Sequence, residues 1–149
     1  MVRYFKEQDK TAFLEMADRF YHMPAVLHSV DQSYFERTFD AIISGTPYAA
    51  GMLAEYEGKP AGYALLSLTW SNEAGGLVVW IEEAYVEAQF RSCGIGKELF
   101  AFIRREFDGK ARRYRLEVTK DNLRAIKLYE ALGYQPLDYR QMVLDLENE

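Results

Sequence analysis

Val86-Glu87-Ala88-Gln89-Phe90-Arg91-Ser92-Cys93-Gly94-Ile95-Gly96-Lys97 is the stretch that decides how this chain folds. A long β-prone run, Leu77 to Glu87, leads into it, and Ile95, Leu99, Phe102 and Ile103 follow at helical spacing. Two glycines at a helix start let the backbone approach a ligand closely, and the free amides and helix dipole there favour an anion. Arg91 and Lys97 add positive charge. A Walker loop needs glycine at 91 and Ser or Thr at 98, and the chain has Arg91 and Glu98. A dinucleotide fingerprint needs a third small residue where Leu99 stands. A pyrophosphate cradle of the Arg-x-x-Gly-x-Gly kind fits Arg91, Gly94 and Gly96, and so does a tight strand–helix turn with no ligand.

Working outward, Val2 to Phe5 reads as a short strand. Phe13, Met16, Ala17, Phe20 and Tyr21 mark a first helix, with Asp9 as its cap and Pro24 as its stop. Asp31, Phe35, Phe39, Ile42 and Ile43 mark a second. Three strands follow, Tyr48–Tyr56, Ala61–Trp70 and Leu77–Glu87, broken by the turns at Glu57-Gly58-Lys59-Pro60 and Asn72 to Gly76. After the glycine helix come a strand at Tyr114–Val118 and a helix from Asp121 or Asn122 to Leu132, closed by Gly133. A last strand is expected at Tyr139–Leu146. The order is β-α-α-β-β-β-α-β-α-β. It implies an α+β fold with one mixed, mostly antiparallel central sheet and helices on both faces. The strand after the glycine helix must run parallel to the strand before it.

Composition bounds the function. The 149 residues suit a single domain, 1–149, able to bury a real core. A formal charge of −5 argues against a general nucleic-acid binder. Apolar runs stop well short of the ~18 residues of a membrane span, and no signal peptide is read at the start. Cys93 is the only cysteine, so no intrachain disulfide forms, and a reducing cytoplasm is the expected setting. No His/Cys cluster has metal-ligand spacing, so no metal is expected.

The second motif is Asp121-Asn122-Leu123-Arg124-Ala125-Ile126-Lys127-Leu128-Tyr129-Glu130-Ala131-Leu132-Gly133-Tyr134. Together with Arg91, Gly94 and Gly96, the register of Asn122, Ala125, Tyr129, Gly133 and Tyr134 resembles the GNAT N-acetyltransferase superfamily. The resemblance covers the chain, and its specific part is Glu82 to Tyr134. Ser92-Cys93 departs from the Gly-Lys or Gly-Arg common there, at the expense of one positive charge.

The resemblance implies acetyl-CoA as acyl donor. Arg91, Ser92, Cys93, Gly94, Ile95, Gly96 and Lys97 would hold the pyrophosphate. Ala84, Tyr85 and Val86 would bind the pantetheine arm by their backbone and polarise the thioester carbonyl, and Asn122 would contact that arm. Tyr129 would give a proton to the departing thiolate, although most of the 11 tyrosines are expected simply to pack. Cys93 is not expected to act as a nucleophile, because transfer is direct. The last strand and Tyr134-Gln135-Pro136 would pair with a second copy as a homodimer.

On the acceptor side, an alkyl amine with a pKa near ~10 is neutral in about one molecule in a thousand at pH 7, so a proton acceptor helps attack. Trp80-Ile81-Glu82-Glu83-Ala84-Tyr85 places two carboxylates in mid-strand. Strand alternation sends neighbours to opposite faces, so one of the pair should reach the cleft. The run resembles the Leu-Glu-Asp stretch of spermidine/spermine acetyltransferases, whose Glu matches Glu82, and Glu82 is favoured over Glu83 as base or amine anchor. Trp70, Trp80 and Tyr85 are candidates to line an acceptor slot, with core packing expected for at least one. His22 and His28, between the first two helices, are weaker candidates for a base. The resulting expectation is an N-acetyltransferase acting on a primary amine of a small molecule. The alternatives are acetylation of a protein N-terminus or lysine, and a CoA-binding module without catalysis.

Overall fold

A computed structural model describes residues 1–24 and 26–146. They fall into two compact units, Met1–Glu117 and Val118–Glu149. The first holds β1 (Val2–Tyr4), α1 (Lys10–Tyr21), α2 (Gln32–Ile43), β2 (Ala49–Tyr56), β3 (Lys59–Ser71), β4 (Gly76–Val86), α3 (Ile95–Phe107) and β5 (Ala111–Leu116). The second holds α4 (Leu123–Ala131).

The sheet runs β1-β2-β3-β4-β5, with every neighbour antiparallel except β4 and β5. That exception follows from the α3 crossover. Alternation sorts β2 and β3 onto two faces. Leu53, Tyr63 and Leu65 join Phe5, Phe13, Met16, Ala17, Phe35, Phe39 and Tyr85 in the core beneath α1 and α2. Met52, Ala54, Ala64 and Leu66 fall on the opposite face, towards α3, whose Ile95, Leu99 and Ile103 are buried. The expected fold class, with helices on both faces of one sheet, is what the first unit shows.

Helix starts obey local chemistry. Asp31 caps α2 by accepting from the Ser33 amide at 2.9 Å. Asn122 caps α4 by accepting from the Ala125 amide at 3.2 Å. Asp9, expected to cap α1, does other work. It is 5% exposed, accepts from Nη1 and Nη2 of Arg3 at 2.7 and 3.0 Å, and accepts from the Lys6 amide at 2.7 Å. Arg3 also reaches Glu55, so one guanidinium ties β1, β2 and the turn before α1 together.

One expectation fails: Tyr139–Leu146 forms no strand. A strand exists by pairing, and among the described residues of the second unit α4 is the one regular element. Met142, Val143 and Leu144 are 86–88% exposed, so β-prone composition alone did not make a strand.

At Gly62 the backbone of β3 packs close against that of β4. A Cβ built there would lie 2.4 Å from the Tyr85 carbonyl oxygen on β4. Gly62→Ala is therefore expected to lose about 1–3 kcal/mol of stability, measured as a lower urea midpoint at unchanged slope.

Candidate active site

The strand β4 is irregular in two ways, and both shape the site. Its ladder with β5 ends at Ile81↔Leu116, while its ladder with β3 continues to Gly62↔Val86. From Glu82 to Val86 the β5-side edge of β4 therefore has no ladder partner. Ala84, Tyr85 and Val86, the residues expected to offer backbone to a ligand, lie on this parted stretch.

The second irregularity is a bulge. Leu65 pairs with Glu83 and Leu66 with Ile81, which leaves Glu82 as the extra residue on β4. This overturns the expected alternation of the two carboxylates. Both line the same cleft, about 340 Å³ in volume, with Thr38 and Ile42 of α2, Ala49 of β2, and Leu65, Leu66 and Ser67 of β3.

The two carboxylates have different surroundings. Glu82 is exposed, and the Ser67 hydroxyl donates to its Oε1 at 2.8 Å. Glu83 is half-buried, and each of its oxygens accepts a tyrosine hydroxyl: Tyr63 on Oε1 at 2.7 Å, Tyr21 on Oε2 at 2.5 Å. Burial pushes the Glu83 carboxyl above the usual range; the two hydroxyls pull it back, and the Glu82 charge adds to the rise. No Lys, Arg or His among the described residues forms an ion pair with either glutamate.

The aromatic slot takes a different form from the one expected. Tyr85 is 4% exposed and packs on Tyr63 in the core, its hydroxyl donating to Glu87 at 2.9 Å. Trp70 is 79% exposed and lies on the sheet face opposite Ser67, so the structure does not bring it to the cleft. Trp80 pairs with Ser67, and the Arg115 guanidinium sits 4.1 Å from its ring centre. His22 and His28 are exposed and outside the cleft.

The sequence analysis missed Tyr21 and Tyr63, and it missed a second pair at the end of β4. The buried Glu87 is gripped by Arg19 of α1 through both carboxylate oxygens. The last turn of α1 thus holds β4 at two places, through Tyr21 and through Arg19. Only the spacing of Arg19 and Tyr21 near the end of an amphipathic helix hinted at this.

At the glycine turn, Ser92 and Gly94 adopt left-handed φ values of 71° and 82°. Arg91, Ser92, Cys93 and Gly94 are exposed, and the Arg91 Nε donates to the Val86 carbonyl at 3.2 Å. The first α3 bond runs from the Glu98 amide to the Gly94 carbonyl, and no side chain caps the helix. The amides of Ile95, Gly96 and Lys97 thus have no acceptor within the helix. A Cβ at Gly94 or Gly96 would meet nothing within 4 Å, so the space beside these two glycines is open. Amides without a helical acceptor and two basic side chains suit a diphosphate. In the second unit, the Asn122 side-chain oxygen is used by its cap, and Tyr129 is half-buried, with its ring centre 6.0 Å from that of Tyr134 and its hydroxyl pKa raised by burial.

The site is thus a strand parted from its parallel neighbour, followed by a glycine turn and a helix whose first amides have no helical acceptor. The chain belongs to the acetyltransferase (GNAT) family, whose model matches residues 10–134. It is 25% identical over 84 residues to the spermine/spermidine N(1)-acetyltransferase of Bacillus subtilis (strain 168), covering 54% of this chain and 55% of that one. The chain thus matches about half the length of this curated relative. Among solved structures, it superposes on a possible acetyltransferase from Clostridium difficile 630 with TM-score 0.83 at 20% identity, covering 99% and 98% of the two chains. It superposes on the AAC(6')-Iy complex with the bisubstrate analog CoA-S-monomethyl-acetylneamine with TM-score 0.79 at 18% identity, again covering 99% and 98%. These likenesses confirm the fold.

The sign of the Glu83 shift gives a prediction. A carboxyl raised in the folded state stabilises most when protonated, and that stability is lost as pH rises through the folded value. Glu83→Gln mimics the protonated form. Its melting temperature should exceed that of wild type at pH 7–8, and the gap should close on acidification to about pH 4, below the ordinary Glu value.

Proposed function

We propose that the protein transfers an acetyl group from acetyl-CoA to a primary amine of a small cationic molecule. The observation that carries this reading is the pair Glu82 and Glu83 on one cleft with no ion-pair partner among the described residues. Two such charges suit an acceptor that brings its own ammonium group. The polyamine named for the Bacillus subtilis relative is an acceptor of that kind, which supports the reading.

Each residue then has a task. Arg91 to Lys97 hold the diphosphate with amides and positive charge. The parted backbone at Ala84, Tyr85 and Val86 offers hydrogen bonds to the extended arm. Bound acetyl-CoA supplies the acetyl group as a reactive thioester. Glu82, exposed and steadied by Ser67, anchors the ammonium and takes the proton that the amine sheds. Asn122 contacts the arm, and Tyr129 gives a proton to the sulfur that leaves. The parts assigned to Asn122 and Tyr129 rest on the family pattern alone.

Calorimetry with acetyl-CoA, run beside a thiol-release assay over a panel of amines, tests the reading. The expected result is coenzyme binding, with release fastest for di- and polyamines. Gly96→Asp should abolish both signals in a folded protein, because it places a carboxylate in the open space beside the glycine turn, where the diphosphate is proposed to sit. Binding without release for any amine would mark a non-catalytic module. Preference for peptide N-termini or lysines would make the protein acceptor the right one.

Tyr129→Phe keeps the ring and deletes the proton. A fall in kcat of ~10²–10⁴-fold is expected, with acetyl-CoA affinity little changed. A kcat within a few-fold of wild type would leave Tyr129 a packing residue.

A further inference from the structure

We propose that Tyr21 is a positioning residue for the acceptor: with Tyr63 it holds Glu83 fixed at the bottom of the cleft, so that Glu83 presents a second, immobile negative charge behind Glu82. This deepens the proposed function and rests on its cationic acceptor.

The geometry supports it from both sides of the carboxylate. Tyr63 is fully buried on β3, and its hydroxyl donates to Oε1 at 2.7 Å. Tyr21 is on the last turn of α1, and its hydroxyl donates to Oε2 at 2.5 Å. Both rings are locked by packing, Tyr21 against Phe35 at 5.2 Å and Tyr63 against Phe13 at 5.1 Å. Glu83 therefore has both oxygens committed and one orientation. Glu82, with one oxygen on Ser67, keeps a face towards solvent. The two carboxylates thereby differ in role although they share a cleft.

The groups facing Glu83 can be named element by element. They are Tyr21 from α1, Tyr63 from β3 and Glu82 from β4, while α2 and β2 line the cleft with Thr38, Ile42 and Ala49, none of which titrates. Against burial and a neighbouring like charge, the two hydroxyls are what favours the ionised form. Removing one should raise the Glu83 pKa. At neutral pH the cleft then loses part of its negative charge, and a cationic acceptor binds less well.

Tyr21→Phe and Glu83→Gln, singly and together, test this. The phenyl ring of Tyr21→Phe keeps the stack on Phe35. The expected result, with the best amine from the panel, is a roughly tenfold rise in acceptor KM in each single variant. The acetyl-CoA KM should stay unchanged. In Tyr21→Phe the acidic limb of kcat/KM should move to higher pH. Because Tyr21 acts through Glu83, the double variant should be no worse than Glu83→Gln alone. An additive loss, or a parallel rise in both KM values, overturns the proposal. A second measurement needs no acceptor. The ¹³C resonance of the Glu83 carboxyl should titrate at higher pH in Tyr21→Phe than in wild type, and an unmoved titration also overturns the proposal. If no amine in the panel is acetylated, the proposed function fails, and this titration still decides whether Tyr21 governs Glu83.

Discussion

One extra residue in β4 organises the acceptor side of this protein. Without the bulge at Glu82, alternation would place Glu82 and Glu83 on opposite faces, one of them against α3. With it, both carboxylates face α1 and α2 and share a cleft. A bulge also strengthens local twist. It lies beside Ile81↔Leu116, the last rung between β4 and β5. The doubled charge and the parted strands therefore meet at neighbouring residues of one strand.

A strand segment paired on only one side needs other support, and α1 supplies it. Tyr21 reaches Glu83 on β4, and Arg19 reaches Glu87, four residues further on and just past the end of that strand. Tyr85, between them, points into the core and donates to Glu87. Each carboxylate in this row of half-buried or buried side chains is satisfied by neutral hydroxyls or a guanidinium. The segment Glu82–Val86 is held firmly although its β5-side ladder is missing. The role of α1 is thus mechanical as well as apolar.

Much of this was legible in the sequence. Period-2 and period-3.6 patterns placed β1 to β5 and α1 to α4 within a few residues, because hydrophobic spacing reports burial directly. The glycine turn was legible because few residues tolerate the left-handed φ of Gly94. The bulge was not legible. Glu82-Glu83 reads as ordinary alternation, and the extra residue shows only in the pairing with β3. Tyr21 and Tyr63 were hidden for a related reason: a tyrosine at a core position looks like packing until its hydroxyl finds a carboxylate. Tyr139–Leu146 failed in the other direction, since β-prone composition does not itself supply pairing and these residues join no ladder.

Three glycines of this chain contrast in a way that bears on how the sequence tolerates variation. Gly51 and Gly62 are required by the fold, because a side chain would strike the Phe5 ring at 2.3 Å or the Tyr85 carbonyl at 2.4 Å. Gly96 faces open space within a helix, and the polypeptide alone gives no reason to keep it. A mutational scan scored for soluble yield would therefore purge variants at Gly51 and Gly62 and pass those at Gly96. The same library scored for turnover would purge all three. The difference between the two maps would outline the ligand without any ligand in view.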